Sequence, residues 1–279
     1  MRSTETQHQI APELGAQIRA MLAHIFRENI SRQGSENADA KSTRKLAEKG
    51  HAGAQTHLGH MYYFGHGAPQ SYSEARKWCL RAAAFDVAEA QSRLGRIYAN
   101  GYGVRQDFSK AAAWFQKAAD QDSPADQCAL GVLYANGAGV PKDDAQAATW
   151  FRRAADQRDV FAQCALGVIH AYGAGVPQDY AEAAKWFRKS ADRGHAGAQA
   201  YLCILYALGA GVPQDDVEAA NWYWKSRQKD PAAAQFALDS ISADEGGEQA
   251  SHNVAEAFRA ARPSQPFPDF SLSLLCSSF

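Results

Sequence analysis

His57 and His60 stand three residues apart, and His66 follows shortly after. At that spacing the first two share a helix face, and imidazoles grouped in this way are a start toward a divalent-metal site. No cysteine or carboxylate in the same stretch offers an obvious further ligand, so no metal is expected. Gly137 and Gly139 end a helix in this pattern, whereas glycines that cradle phosphate open one. Asp143-Asp144 and Asp215-Asp216 read as a helix cap followed by a charge that suits the helix N-terminus. No nucleophile motif or paired carboxylate stands out, so the chain is expected to be no enzyme and to use no cofactor. Arg93 and Arg96 hold the remaining chemistry. Their guanidinium groups suit bidentate pairing with carboxylates, and Tyr63, His66 and Tyr102 are placed to rim the same end.

The elements that position these residues are copies of one unit. Trp78, Trp114, Trp150, Trp186 and Trp222 are each 36 residues from the next. The same step links Leu58, Leu94, Leu130, Leu166 and Leu202. It also links Gly65, Gly101, Gly137, Gly173 and Gly209, and a second glycine two residues beyond each. Such a period is the signature of a tandem array of supersecondary units. Each unit reads as two helices. The first, such as 125–136, places Leu130, Leu133 and Tyr134 on one face and ends at a glycine able to take the left-handed conformation. Pro141, Pro177 and Pro213 then block continuation.

The second helix opens on Ser71, Asp107, Asp143, Asp179 or Asp215. Glu74, Gln146, Glu182 and Glu218, three residues on, are expected to complete a capping box. Lys110 breaks that pattern and predicts a slightly weaker start. The repeated tryptophans read as buried core of the second helices, while Trp224, outside the period, is expected to be more exposed. A glycine within the first helix (Gly59, Gly95, Gly131, Gly167) costs about 1 kcal/mol in helix propensity, which points to close backbone packing there.

Variation between copies marks where a partner would be chosen. One stripe of the first helices runs His57, His60, Phe64, then Arg93, Arg96, Asn100, then Ala129, Val132, Asn136, then Ala165, Val168, Tyr172, and last Tyr201, Ile204, Leu208. It is cationic and hydrogen-bonding at its N-terminal end and apolar at its C-terminal end. This predicts a surface for an extended peptide or loop, acidic at one end and apolar at the other. The simpler account is that Val132, Val168 and Ile204 pack on neighbouring helices and that the arginines are solvated.

The pattern Leu130-Gly131, Tyr134, Gly137, Gly139-Val140, Asp143, Ala147 and Trp150 to Ala155 resembles the Sel-one-like repeat (SLR), a relative of the tetratricopeptide repeat. The resemblance covers roughly residues 52–230. It implies an all-α fold, a right-handed α-solenoid of antiparallel helix pairs. It also implies a role in protein–protein interaction, often in bacterial signalling or host contact. A cysteine-rich branch of that family carries a disulfide in each repeat and is linked to beta-lactam binding. The five cysteines here lack that pairing, so the activity is not carried over, and Cys128 and Cys164 read as small buried hydrophobes.

The expected organisation is a disordered start at 1–10 and a degenerate capping repeat at 11–50, with Ser42 in the tryptophan position. Five full repeats follow at 51–230, then a degenerate capping repeat at 231–262 with Phe258 in that position, and a proline-containing tail at 263–279. The tail is expected to be disordered or to act as a short docking segment, with self-association through it an option. A net charge of −1 gives no electrostatic case for nucleic acid. No run is apolar enough for an integral membrane segment, and the polar start without a signal peptide predicts a cytoplasmic protein, dedicated export aside. The expected function is a non-catalytic scaffold or adaptor that binds another protein on its concave surface. Alternatives are an immunity-type protein that neutralises a toxin, a secreted effector that binds a host protein, and, from another class, an enzyme of beta-lactam or cell-wall chemistry.

Overall fold

The computed structural model describes residues 38–243. Among the described residues there are twelve helices and no strand. They are α1 (Ala38–Glu48), α2 (Ala52–Phe64), α3 (Tyr72–Ala83), α4 (Ala88–Asn100), α5 (Phe108–Ala119), α6 (Pro124–Asn136), α7 (Asp144–Asp156), α8 (Val160–Tyr172), α9 (Tyr180–Ala191), α10 (Ala196–Leu208), α11 (Asp216–Lys229) and α12 (Pro231–Ala243). The chain divides into two compact units, residues 1–150 and 151–279. The fold is an all-α solenoid of paired helices, with α2 packed on α3, α4 on α5, α8 on α9 and α10 on α11.

Each pair closes in the same way. The first helix stops at a glycine with φ between 65° and 74°, at Gly65, Gly101, Gly137, Gly173 and Gly209. The second glycine of the loop is forced by crowding. A Cβ on Gly139 would sit 2.2 Å from the Phe108 carbonyl carbon, and one on Gly211 would sit 2.2 Å from that of Tyr180. Each of these loops therefore lies against the start of the preceding repeat's second helix, and no side chain fits between.

The helix starts differ from expectation in one respect. Ser71, Asp107, Asp143, Asp179 and Asp215 each accept a hydrogen bond from the amide three residues on. The reciprocal half of the capping box does not form, because the cap's own amide is already taken. It donates to the carbonyl nine residues back, that of Tyr62, Tyr98, Tyr134, His170 or Tyr206. Glu74 and Glu182 pair with Lys77 and Lys185 instead, and Glu218 accepts from Arg188 and the Trp222 indole. Lys110 is no weak point by this logic, since its ammonium pairs with Asp107 at 3.0 Å.

The glycine within the first helix is also explained differently. A Cβ on Gly95 or Gly167 would lie 2.4 Å from the ring of Phe115 or Phe187, and one on Gly59 would lie 2.7 Å from the Cys79 sulfur. At Gly95 and Gly167 the space is a seat for a second-helix ring, while at Gly59 the Ala75 carbonyl oxygen and Cys79 amide nitrogen also come within 3.5 Å of that Cβ, so backbone approach contributes there. The repeated glutamine has a fixed task as well. Gln55, Gln127, Gln163 and Gln199 donate to the carbonyls of Ala47, Ala119, Ala155 and Ala191, eight residues back. These bonds satisfy carbonyls that the end of the preceding helix leaves open.

Leu58, Leu94, Leu130, Leu166 and Leu202 are fully buried. Trp78, Trp150, Trp186 and Trp222 are buried too, but Trp114 is only half-buried. Arg152 covers the Trp186 ring at 5.1 Å and Arg188 covers Trp222 at 4.9 Å, while the same position before Trp114 holds the shorter Leu80. Lysines cover ring faces from three residues on, Lys117 at Trp114, Lys189 at Trp186 and Lys225 at Trp222. Trp224 is half-buried, its ring against Tyr223.

At the ends, α1 behaves as a second helix. Ala40 and Ala47 are buried, and Arg44 donates to the Tyr62 hydroxyl as Arg188 does to Tyr206. Ser42, in the tryptophan position, is exposed and donates to the Asp39 carbonyl. At the other end α12 packs on α10 and α11. The start at 1–10, the part of 11–50 before residue 38, residues 244–262 with Phe258, and the 263–279 tail lie outside the described residues.

Candidate partner-binding faces

The variable stripe of the first helices takes two forms, one in each unit. In the N-terminal unit its cations are turned inward. Arg93 is 3% exposed, where the stripe predicts an arginine at the surface. One terminal nitrogen donates to Glu89 at 3.0 Å and meets His60 Nδ1 at 3.1 Å. The guanidinium carbon lies 5.1 Å from the Tyr63 ring centre and 5.2 Å from that of Phe64. Its Nε and Nη1 are buried with no hydrogen-bond acceptor. Arg93 is thus a support beneath two rings, held by cation–π contact and one carboxylate. Arg96 is half-buried, 6.0 Å from the Tyr63 ring centre.

Above Arg93 lies a layer of rings. His60 packs on Phe64 at 4.6 Å and sits 6.4 Å from His57 and 6.3 Å from His66. Tyr72 stacks on Tyr102 at 4.5 Å, with Tyr63 edge-on to both. His57 and His66 are exposed. His60 Nδ1 also lies 3.7 Å from the Glu89 carboxylate. Among the described residues no three histidines, cysteines or acids are grouped as metal ligands.

Two acids in this unit were not picked out from the sequence. Glu89 is held down to about 2 by His60 and by the charge and hydrogen bond of Arg93, against its own partial burial. Its pairing with Arg93 one helical turn on was a legible signal. Asp126 is 1% exposed and bonded to the Ser123 hydroxyl at 2.5 Å. Burial pushes its carboxyl up to about 6, although Ser123, Ser92 and Arg96 oppose the shift. The signal here was a break in the period, since the equivalent positions hold Ala54, Ala90, Ala162 and Ala198. Ala129 and Val132, given to the stripe, are buried in the helix packing. Asn100 and Asn136 turn back to donate to the Arg96 and Val132 carbonyls of their own helices.

In the C-terminal unit the same positions are apolar and partly open. Tyr172 is 69% exposed, and Val168, Tyr201, Ile204 and Leu208 are half-buried against the core. Tyr201 stacks on Phe187 at 4.6 Å and meets Phe236 of α12 edge-on. Burial raises its phenol well above the usual range. The stripe positions on α8 and α10 carry no carboxylate, lysine, arginine or histidine.

Chemistry is poorly served in both units. Burial pushes the Cys79, Cys164 and Cys203 thiols up to about 12, away from the thiolate a nucleophile needs. A cavity of about 430 Å³ in the C-terminal unit is lined by Arg158, Lys189, Arg193, Asp156, Gln163 and Ala155. Arg193 donates there to the Arg158 carbonyl, and the cations suit the negative end of α7. No helix among the described residues is long and apolar enough to cross a membrane.

Comparison with known proteins fits this geometry. The Sel1 repeat family model matches residues 52–84, 88–123, 124–159, 160–195 and 196–229. Among solved structures, the chain is similar to a protective antigen of uropathogenic Escherichia coli strains displaying an SLR fold. Identity is 33%, TM-score 0.69, with 80% of this chain and 49% of that one covered, so the match spans about half the antigen's length. A Sel1 repeat protein from Oxalobacter formigenes is 30% identical at TM-score 0.62, with 80% of this chain and all of that one covered. No curated protein matches. The repeat matches extend over most of the described residues, and the chain belongs to the Sel1 repeat family.

Proposed function

We propose that this protein is a non-catalytic scaffold that holds another protein on its first-helix faces, chiefly that of the C-terminal unit. The observation that carries the reading is the run of uncharged, partly open side chains at the variable repeat position, with Tyr172 exposed among them. The repeat fixes its leucines, tryptophans, glycines and caps for packing, and leaves this position free. Apolar side chains held open by a rigid helix pair suit the anchor residues of a peptide or loop, because little ordering accompanies their burial. In the N-terminal unit, His57, His60, Phe64 and Arg96 offer a second, polar and aromatic face to a partner that carries carboxylates. A bacterial partner is in keeping with the relatives.

The test is capture of partners by the wild-type chain and by three variants. Tyr172→Ser with Leu208→Ser removes the apolar face, His57→Ala removes an exposed ring of the other face, and Asn221→Ala alters the exposed side of a second helix. Loss of the same captured protein with the first variant alone is the expected result. Equal capture by all three sinks the reading.

A further inference from the structure

The apolar face of the C-terminal unit has a candidate occupant in its own chain. We propose that residues 267–279 dock in cis along α8 and α10 and cover Val168, Tyr172, Ile204 and Leu208 until a partner displaces them. The displacement rests on the function proposed above, whereas the docking does not.

Three observations favour this occupant. The first is chemical match. From residue 263 onward the sequence holds Phe267, Phe270, Leu272, Leu274, Leu275 and Phe279 with a single charged residue, Asp269. Phe270, Leu272 and Leu274 alternate, so in an extended segment they point to one side. The stripe positions of α8 and α10 are equally free of charge. The N-terminal unit is a poor alternative, because Glu89, His60 and His57 would be buried beneath an apolar segment.

The second observation is where the chain leads. The last described helix, α12, packs directly on α10, with Phe236 against Tyr201 at 5.6 Å and Ala234, Ala237 and Ile241 in the same core. The chain thus leaves the described fold beside a helix that carries the open face. The third is reach. Residues 244–266 span up to ~75 Å when extended, while neighbouring helices are about 10 Å apart. A tether of this kind gives an effective concentration of roughly millimolar, so even a weak segment stays docked.

The experiment uses a fluorescent peptide of residues 263–279 and reads anisotropy. A chain ending at Arg262 is expected to bind it with micromolar affinity, and the full chain at least tenfold more weakly because its own segment occupies the face. In the chain ending at Arg262, Tyr172→Ser with Leu208→Ser is expected to weaken binding at least tenfold with unchanged helical circular dichroism. In the full chain, Leu272→Asp with Leu274→Asp is expected to restore peptide binding. Equal binding by the full and shortened chains, or no binding by either, overturns the proposal. A dimer that forms only when the tail is present also overturns it, since the occupant is then a second copy. The partner reading is scored separately by capture with the same face variant. Absent peptide binding with variant-sensitive capture removes only the docking, and the reverse pattern removes only the partner.

Discussion

The same first-helix stripe does opposite things in the two units, at different positions along it. In the N-terminal unit Arg93 is drawn inside, where Glu89, His60 and two aromatic rings occupy it. In the C-terminal unit Tyr172 is 69% exposed, and Val168, Ile204 and Leu208 are only partly buried against the core. A long cation on a helix face can satisfy itself by folding back on neighbouring acids and rings, and then contributes to stability. The apolar side chains of the other unit pack where a ring is in reach, as Tyr201 does on Phe187, and otherwise stay partly open, as Tyr172 does. Which residues are free to bind follows from what each can reach within its own unit.

Substitutions separate these roles most clearly where the difference in stability is greatest. Trp222→Ala is expected to cost about 3–5 kcal/mol, since the indole is buried and donates to Glu218. Trp114→Ala should cost about half as much, because its ring is only half-buried. Chemical denaturation of the two variants checks the contrast. In a repeat array such losses can split the unfolding transition instead of shifting it whole.

Arg93→Ala comes next, at about 2–4 kcal/mol, from lost packing under two rings and a broken pair. By contrast Tyr172→Ala is expected to change stability by no more than about 0.5 kcal/mol. A thermal melt showing equal shifts for the two would erase the difference between the faces.

Asp126 tests the inward character of the N-terminal unit by pH. Its carboxyl is raised from 3.8 to about 6 by burial, so the folded state holds a proton that the unfolded chain releases. The stability tied to that proton is full below about pH 4 and is lost as pH rises through 6. Asp126→Asn is therefore expected to stabilise the protein by about 1–3 kcal/mol at pH 7.5, with the gain vanishing by pH 4. Denaturation midpoints measured across that range give the answer directly.

The smaller of the two pH effects belongs to Glu89, lowered to about 2. Its contribution is present above about pH 4.5 and falls away as pH drops toward 2. The carboxylate is 56% exposed, so solvent screening limits Glu89→Gln to under about 1 kcal/mol near neutrality. A larger loss, read from denaturant titrations at pH 7, would mean that Arg93 depends on this partner more than on its rings.

The fold was legible because its signals are local and repeated. A glycine that ends a helix, a cap that starts one and a leucine in each core recur in every copy, and each follows from backbone geometry alone. The fate of Arg93 was less legible. It depends on Glu89 one turn before it and on His60 and Phe64 in the previous repeat, so only the packed pair of repeats reveals it. The half of the capping box that fails, at Ser71 and its equivalents, has a similar origin. The competing acceptor, the Tyr62 carbonyl and its counterparts, lies across a loop, and nothing in the motif names it. Asp126 is a different case, because an acid among four alanines at one repeat position is readable without coordinates. The glycine seats for Phe115 and Phe187 show the period carrying information in pairs, small in one helix and large in the other.

The account stands or falls on where a partner touches the array. A photo-crosslinking residue placed in turn at Tyr172, His57 and Asn221 of the chain ending at Arg262 measures this directly. Partner adducts strongest at position 172, weaker at 57 and absent at 221 are the predicted result. Adducts at 221 as strong as those at 172 would contradict it.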